Sequence, residues 1–142
     1  MPKTRLFISH SSPEAPALAR LTDLHAQLSG LGYEVLLNRT FIRSGDEWRN
    51  RIHVMLAECQ AAIILLDAAA LASPWVLKES TILSWRKDLE GEEFYLQPVR
   101  FRGITADDLK TRQYSPLLLT ELQHIVADDD AAMICKIGRA HV

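Results

Sequence analysis

The stretch "AAIILLD", Ala61 to Asp67, decides the fold class of this 142-residue chain. Its first six residues are all apolar. A strand with one face in water alternates apolar and polar residues, whereas a strand covered on both faces is apolar throughout. We therefore expect this segment to be a central strand of a parallel sheet that has helices on both sides.

The segments on either side of this strand alternate between strand and helix patterns. Strand-like runs are "RLFISH" (5–10), "YEVLLN" (33–38) and "FYLQPVRF" (94–101). The residues between them carry apolar positions at three- and four-residue steps, which is typical of one face of a helix. These predicted helices have start signals at Ser12-Pro13, Ser44 and Ser73-Pro74, and the third is expected to reach about Lys87. Gly30 and Gly32 are expected to end the first helix.

The order β-α-β-α-β-α-β with long helical crossovers predicts right-handed connections and a parallel sheet. We predict an α/β fold, a flavodoxin-like three-layer sandwich with a central parallel sheet of four to five strands and helices on both faces. A fifth strand is not clearly visible, because "TADDLK" (105–110) and "SPLLLTELQHIVADDD" (115–130) suggest a short helix and a final helix. Pro98 marks an edge or irregular position in the fourth strand.

Composition excludes several classes of protein. The net charge is −2 and no basic block is present, so nucleic acid is not an expected partner. The longest apolar run is short and is interrupted by Asp67, so no membrane span is expected. Cys59 and Cys135 lack metal-like or redox-like spacing, which favours a reducing, cytoplasmic compartment. We expect no metal site and no cofactor.

The last seven residues, "KIGRAHV" (136–142), resemble a translated sequencing adapter. We therefore expect residues 1–135 to form the domain and residues 136–142 to be a non-native tail. On this interpretation the natural chain continues beyond Cys135.

Ligands of open parallel sheets bind at the carboxyl ends of the strands, where the strand order switches. This rule selects "SHSS" (9–12), "RTFIRSGDEW" (39–48), the segment after Asp67 and the end of the fourth strand. Glycine-rich phosphate loops and a GxSxG motif are absent from the sequence. Asp67 follows the third strand, as the phosphate-accepting aspartate of a receiver domain does. This alternative is weak, because no acidic pair follows the first strand.

The segment "SPWVLKES" (73–80) carries the main candidate for chemistry. Trp75 and Glu79 are four residues apart and share one face of the predicted helix. Most helical glutamates are solvated or salt-bridged. This one, however, lies on the second turn of a helix that begins near the expected ligand edge.

Three motifs in order, "FISHSS" (7–12), "RSGDEW" (43–48) and "SPWVLKES", resemble those of a Toll/interleukin-1 receptor (TIR) domain. The third matches the W-V-x-K-E form of the animal axon-degeneration NAD hydrolase. The resemblance covers about residues 3–102. Each motif alone is moderately specific for the family, whereas the three motifs in this order and spacing are a strong indication of it.

The resemblance implies that Glu79 is the catalytic carboxylate that cleaves the nicotinamide N-glycosidic bond of NAD⁺. Such a carboxylate stabilises an oxocarbenium-like ribosyl centre or binds the ribose hydroxyls. Arg43 is the expected phosphate contact. The implied substrate-binding residues are Ser9, His10, Ser11, Phe41, Arg43, Trp48 and Trp75. Asn38 and Asp67 depart from the residues that many relatives have at the pocket rim.

The leading hypothesis is therefore a prokaryotic NAD⁺ glycohydrolase, or ADP-ribosyl cyclase, that acts in anti-phage immunity or stress signalling. The family also implies self-association through TIR–TIR contacts, which complete the active site. The adapter-like end suggests a missing C-terminal sensor domain that drives this assembly. The main alternative is a non-enzymatic TIR adaptor that signals by homotypic contact, in which Glu79 is exposed on the surface.

Overall fold

The computed structural model describes residues 4–11, 17–37, 46–101, 104–105, 107–110 and 125–127. In chain order the elements are β1 Arg5–Ser9, α1 Ala17–Gly30, β2 Glu34–Leu37, α2 Asp46–Glu58, β3 Ala61–Leu66, α3 Ala68–Leu71, α4 Pro74–Glu90, β4 Tyr95–Phe101 and β5 Ile125–Ala127. Two short 3₁₀ turns cover Gly91–Glu93 and Asp107–Lys110.

The strands form one five-stranded sheet in the order β2-β1-β3-β4-β5, and every described pairing is parallel. The predicted flavodoxin-like α/β fold is confirmed. The chain steps from β1 to β2 on one side and then crosses to β3 on the other, so the strand order switches between β1 and β3. At this switch Ser9 lies opposite Ile64.

All six residues of β3 are buried, as the continuous apolar run predicts. Alternate side chains enter two separate cores, one on each face of the sheet. The first contains Leu6, Ile8, Leu24, Leu28, Val35, Ala61, Ile63, Leu65 and Val99. The second contains Phe7, Ile52, Leu56, Cys59, Ala62, Ile64, Leu66, Ala70, Val76, Leu83, Phe94, Leu96 and Leu109. Helix α1 therefore covers one face, while α2 and α4 cover the other.

Local signals fix the ends of α1 and α4. Gly32, just after α1, has φ 98°, a conformation that favours glycine. Ser73 caps α4 by accepting a hydrogen bond from the Val76 backbone N–H to its Oγ (3.3 Å), and Pro74 is the first helical residue. The helix runs to Glu90, slightly beyond the predicted end, and terminates at Gly91, which has φ 60°.

The predicted final helix is wrong at residues 125–127, which form β5 and pair with Val99–Phe101. Of the two alternatives predicted for Pro98, an edge or an irregular position, the edge position is wrong, because β4 lies between β3 and β5. Pairing with β3 runs through Pro98, whereas the described pairing with β5 begins at Val99, the next residue. The proline thus precedes the β5 ladder, and no described β5 residue pairs with it.

Among the described residues, four large apolar side chains are exposed: Leu31, Val54, Trp85 and Leu89. Trp85 (69% exposed) and Leu89 (76%) are one helical turn apart on the outer side of α4. In the part of the chain that the structure covers, no helix is long and apolar enough to cross a membrane. The helix starts predicted at Ser12 and Ser44, and the tail 136–142, lie outside the described residues.

Candidate active site

The Glu79 carboxylate is completely buried, with 0% of the residue exposed. Ser9, which is also 0% exposed, donates a hydrogen bond from Oγ to Glu79 Oε1 at 2.9 Å. A hydroxyl donor stabilises a carboxylate oxygen and fixes its direction. The contact joins residues that are 70 positions apart in the chain, so it depends on the tertiary fold.

The packing of α4 explains why a carboxylate points inward. Val76, Glu79 and Leu83 recur at helical spacing and are all buried, so they share the face of α4 that meets the sheet. Ser9 lies on the same side of β1 as Phe7, which belongs to the core under α2 and α4. Burial of a carboxylate carries a large desolvation cost, so a glutamate in this apolar stripe is unusual.

The Ser9–Glu79 contact lies at the carboxyl end of β1, next to the point where the strand order switches. This is where open parallel sheets bind their ligands. The sequence predicted that both residues would lie at this edge, and the structure brings them into direct contact.

His10 and Ser11 continue from β1 and are both buried, at 6% and 8% exposure. His10 Nδ1 lies 2.6 Å from the Ser11 carbonyl oxygen. Because a carbonyl oxygen only accepts, this nitrogen carries the proton and donates a hydrogen bond to that oxygen. The histidine ring is thereby held at the carboxyl edge of the sheet, directly after the serine that contacts Glu79.

Trp75 is half-buried on the first turn of α4, one turn before Glu79. The Lys78 ammonium lies 5.1 Å from the centroid of the indole ring, which is within cation–π range. The opening turn of α4 therefore combines an aromatic ring, a cation and, one residue further, the buried carboxylate.

The structure leaves part of the predicted site undescribed. Phe41, Arg43 and Asn38 lie outside the described residues, and only the backbone of Trp48 is described, in the first turn of α2. The roles predicted for these side chains remain predictions. Across the described ranges, no group of three or more His, Cys, Asp or Glu residues could hold a metal ion.

Asp67 has a structural role. Its Oδ1 accepts a hydrogen bond from the Ala70 backbone N–H at 2.7 Å, which caps the short helix α3. Neither α3 nor this cap was predicted, although an aspartate before "AAAL" is a recognisable N-cap signal. The cap accounts for Asp67 without a phosphate-accepting role.

Sequence reasoning also missed Arg86, two turns beyond Glu79 on α4. Its guanidinium pairs with both oxygens of Glu90 and donates to the backbone carbonyls of Leu56 and Cys59. The arginine and Glu90 are four residues apart, which is the spacing of helical ion pairs and was the available signal. Its contacts with α2 could not be read from the sequence.

Comparisons with known proteins agree with this architecture. The TIR domains of the activated Roq1 resistosome, which directly recognizes the pathogen effector XopQ, have a TM-score of 0.75 at 12% identity, over 99% of this chain and 100% of theirs. The Clostridium botulinum CMP N-glycosidase BcmB has a TM-score of 0.71 at 15% identity, over 96% of this chain and 99% of its own. Identities this low show a shared fold only.

A search of curated protein sequences gives no significant match. The family model described as TIR domain matches residues 6–133, which run from the second residue of β1 to beyond β5. This chain belongs to the TIR domain family.

Proposed function

We propose that this TIR domain is an N-glycosidase that cleaves the bond between ribose and nicotinamide in NAD⁺. The observation that carries the proposal is the fully buried Glu79 carboxylate, held by Ser9 beside the switch in strand order. NAD⁺ is a substrate in this scheme, and no cofactor is required.

The chemistry needs only one carboxylate. When the C1′–N bond breaks, its electron pair goes to the pyridinium nitrogen and nicotinamide leaves as a neutral molecule. A strong general acid is therefore unnecessary, unlike in ordinary glycosidases with two carboxyl groups. The positive charge that develops on the ribosyl carbon is stabilised by the Glu79 carboxylate. Attack by water on C1′ then gives ADP-ribose and a proton, whereas attack by an adenine nitrogen gives a cyclic isomer.

We propose that Ser9 contributes to this reaction through Glu79. Its Oγ already donates to Oε1, so the carboxylate enters the reaction with one oxygen oriented by the protein. We propose that His10, Ser11 and Trp75 border the substrate around this pair. The further contacts predicted for Ser9 itself and for Phe41, Arg43 and Trp48 remain part of the proposal.

The relatives support the reaction class rather than the substrate. BcmB is named a CMP N-glycosidase, so a protein of this fold cleaves an N-glycosidic bond of a nucleotide. The Roq1 structure contains TIR domains within an activated resistosome, which supports a site that works in an assembly. We therefore propose self-association through TIR–TIR contacts, a C-terminal sensor that drives it, and a cytoplasmic role in prokaryotic immunity or stress signalling.

The burial of Glu79 favours an enzyme over a non-enzymatic adaptor. An adaptor was expected to carry Glu79 on its surface, whereas the residue is 0% exposed and contacts Ser9. A buried carboxylate costs stability, and this cost is easiest to understand where the charge serves chemistry.

The proposal is tested by incubating the concentrated protein with NAD⁺ and measuring nicotinamide release by chromatography. We expect Glu79→Ala to lower the rate at least ~10³-fold, since it removes the charge that stabilises the transition state. Ser9→Ala should lower it about tenfold, which corresponds to one lost hydrogen bond to a charged group. Glu92→Ala is the matched control, because Glu92 is exposed in the 3₁₀ turn after α4.

CMP serves as a second substrate in the same assay, with cytosine release as the readout. Cleavage of CMP but not NAD⁺ would keep the N-glycosidase class and overturn the choice of NAD⁺. If Glu79→Ala and the wild-type protein behave alike on both substrates, even when the domain is forced to assemble, the enzymatic function is wrong and the adaptor function replaces it.

A further inference from the structure

Arg86 makes several polar contacts with two other parts of the chain. Nε and Nη2 bind the two Glu90 oxygens at 2.7 and 3.1 Å. Nη1 donates to the carbonyl oxygens of Leu56 at 2.8 Å and Cys59 at 2.6 Å, and lies 3.3 Å from Cys59 Sγ. The Phe94 ring lies 4.2 Å from Cζ. The planar guanidinium is thus engaged on its edges and on one face, in a geometry that lysine cannot reproduce.

These contacts join α4 to the end of α2. Leu56 belongs to the last turn of α2, and Cys59 follows that helix directly. Their carbonyl groups lie at the negative end of the helix dipole, where a cation is stabilising. The Arg86 side chain is only 18% exposed, so water screens these interactions weakly.

Arg86 and Glu79 lie on the same stripe of α4. They are seven residues apart, which is close to two helical turns, and the buried Leu83 lies between them. Apolar packing around Leu83 resists separation of the helix from the sheet but is non-directional. Directional contacts include the hydrogen bond from Ser9 near one end. Near the other end they include the Arg86 contacts and a hydrogen bond from Lys87 Nζ to the Phe94 carbonyl oxygen at 2.9 Å.

A rigid helix converts a small change at Arg86 into a displacement at Glu79. Seven residues span about 10 Å along the helix axis. A tilt of roughly 10° about the Arg86 end would therefore move Glu79 by about 2 Å. Misplacement of a reacting group by about 1 Å can lower a rate roughly a hundredfold. The position of the carboxylate thus depends on how α4 is fixed at its other end.

We propose that Arg86 is a positioning residue for the reaction: by locking α4 onto the carbonyl end of α2, it sets the register of α4 and holds the Glu79 carboxylate against Ser9. The role of Glu79 in catalysis rests on the proposed function, whereas its position relative to Ser9 does not. Arg86 itself touches no substrate.

The experiment compares Arg86→Lys and Arg86→Met in the full chain. Lysine keeps the charge and the stem but loses the planar fork, so it is the variant that is expected to fold. Arg5→Met is the matched control. Arg5 is another arginine that contacts the end of α2, where it pairs with Glu58 at 2.8 Å, but it belongs to β1 and not to α4. All variants are assayed at a temperature at which unfolding curves show them to be folded.

Two readouts separate positioning from general stability. The first is the kinetics of nicotinamide release, where both Arg86 variants should lower kcat about tenfold or more and change KM less than threefold. The second is the ¹³C chemical shift of the Glu79 carboxyl carbon, assigned with Glu79→Gln. It should move in both Arg86 variants and stay in place in Arg5→Met.

A purely structural role predicts another pattern. If the Arg86 variants unfold at lower temperature but keep kcat and the Glu79 carbon shift of the wild-type protein while folded, the proposal is overturned. An equal effect of Arg5→Met on both readouts also overturns it. If the wild-type protein cleaves neither NAD⁺ nor CMP, the proposed function fails, and the carbon shift alone still decides whether Arg86 positions Glu79.

Discussion

Val76, Glu79, Leu83 and Arg86 follow one another along one side of α4. The charged side chains at the two ends of this stripe have different surroundings. At the carboxyl edge of the sheet, the fully buried Glu79 carboxylate receives a hydrogen bond from the neutral Ser9 hydroxyl. At the other end, Arg86 meets the opposite charge of Glu90 and the carbonyl groups of α2. The Arg86 contacts therefore join α4 to α2, whereas in the proposed function the Glu79 carboxylate, oriented by Ser9, stabilises a cationic transition state.

This difference separates residues that serve stability from residues that serve the reaction. Substitution at Arg86 should weaken the fold and displace the site. Substitution at Glu79 should remove the reaction and leave the fold intact or strengthened. Arg86 variants should therefore lower both stability and activity, whereas Glu79 variants should lower activity alone.

The largest effect is expected from Glu79→Gln. The amide has nearly the shape of the carboxylate but no charge, so N-glycosidic cleavage should fall at least ~10³-fold. Stability should stay equal or rise by up to about 1–2 kcal/mol, because a buried charge is removed while Ser9 can still hydrogen-bond the side chain. Urea unfolding measures this change. A loss of more than about 2 kcal/mol would show that the charge of Glu79 stabilises the fold, as is expected of Arg86.

Arg86→Met should destabilise the protein by about 2–3 kcal/mol, because the carbonyl groups of Leu56 and Cys59 lose a charged donor. Arg5→Met should cost less than about 1 kcal/mol, since the Arg5 side chain is 46% exposed and its ion pairs with Glu34 and Glu58 are screened by water. The unfolding midpoints of the two variants in urea give the difference. Equal losses of stability in the two variants would mean that the Arg86 contacts stabilise the protein no more than a surface ion pair does.

The Cys59 thiol lies beside Arg86, with its Sγ 3.3 Å from Nη1. Burial raises the pKa of Cys59 to about 11, and the nearby Arg86 guanidinium, which lowers it, does not offset the burial. The pKa of Cys59 in the folded protein lies above the ordinary 9.0, so the folded state keeps the thiol proton to higher pH than the unfolded state does. This contribution to stability is complete below about pH 9 and is lost as the pH rises towards 11.

The same pKa predicts a slow reaction with thiol reagents. At pH 8 the folded protein should react at Cys59 at least about tenfold more slowly than the urea-unfolded protein, since less thiolate is present and access is restricted. Mass spectrometry after timed alkylation locates and quantifies the modification. Equal rates in the folded and unfolded protein would show that the contacts between Arg86 and Cys59 open readily.

Local signals predicted the parts of the fold that local physics determines. The Ser73 cap, the start of α4 at Pro74 and the glycine after α1 follow from hydrogen-bonding and backbone preferences of a few neighbouring residues. The buried strand β3 follows from its unbroken apolar run. These features need no knowledge of distant parts of the chain.

The features that failed depend on distant partners. The sequence predicts a final helix within residues 115–130, but pairing with β4 makes Ile125–Ala127 a strand. The edge of the sheet shared by Ser9 and Glu79 was predictable from topology, whereas their hydrogen bond was not. For Arg86, the spacing to Glu90 indicated an ion pair. The contacts with the α2 carbonyl groups could not be predicted, because every residue has a backbone carbonyl and the sequence does not show which ones the side chain will reach.

Trp85 gives this protein an optical reporter next to Arg86. Its indole is 69% exposed on the outer side of α4, one residue before the arginine that fixes the helix, whereas Trp75 is half-buried beneath Lys78. An exposed indole emits at long wavelength and is readily quenched by iodide. A Trp85→Phe difference spectrum therefore isolates its emission, and a shift to shorter wavelength with weaker quenching would signal that another surface has covered the outer side of α4.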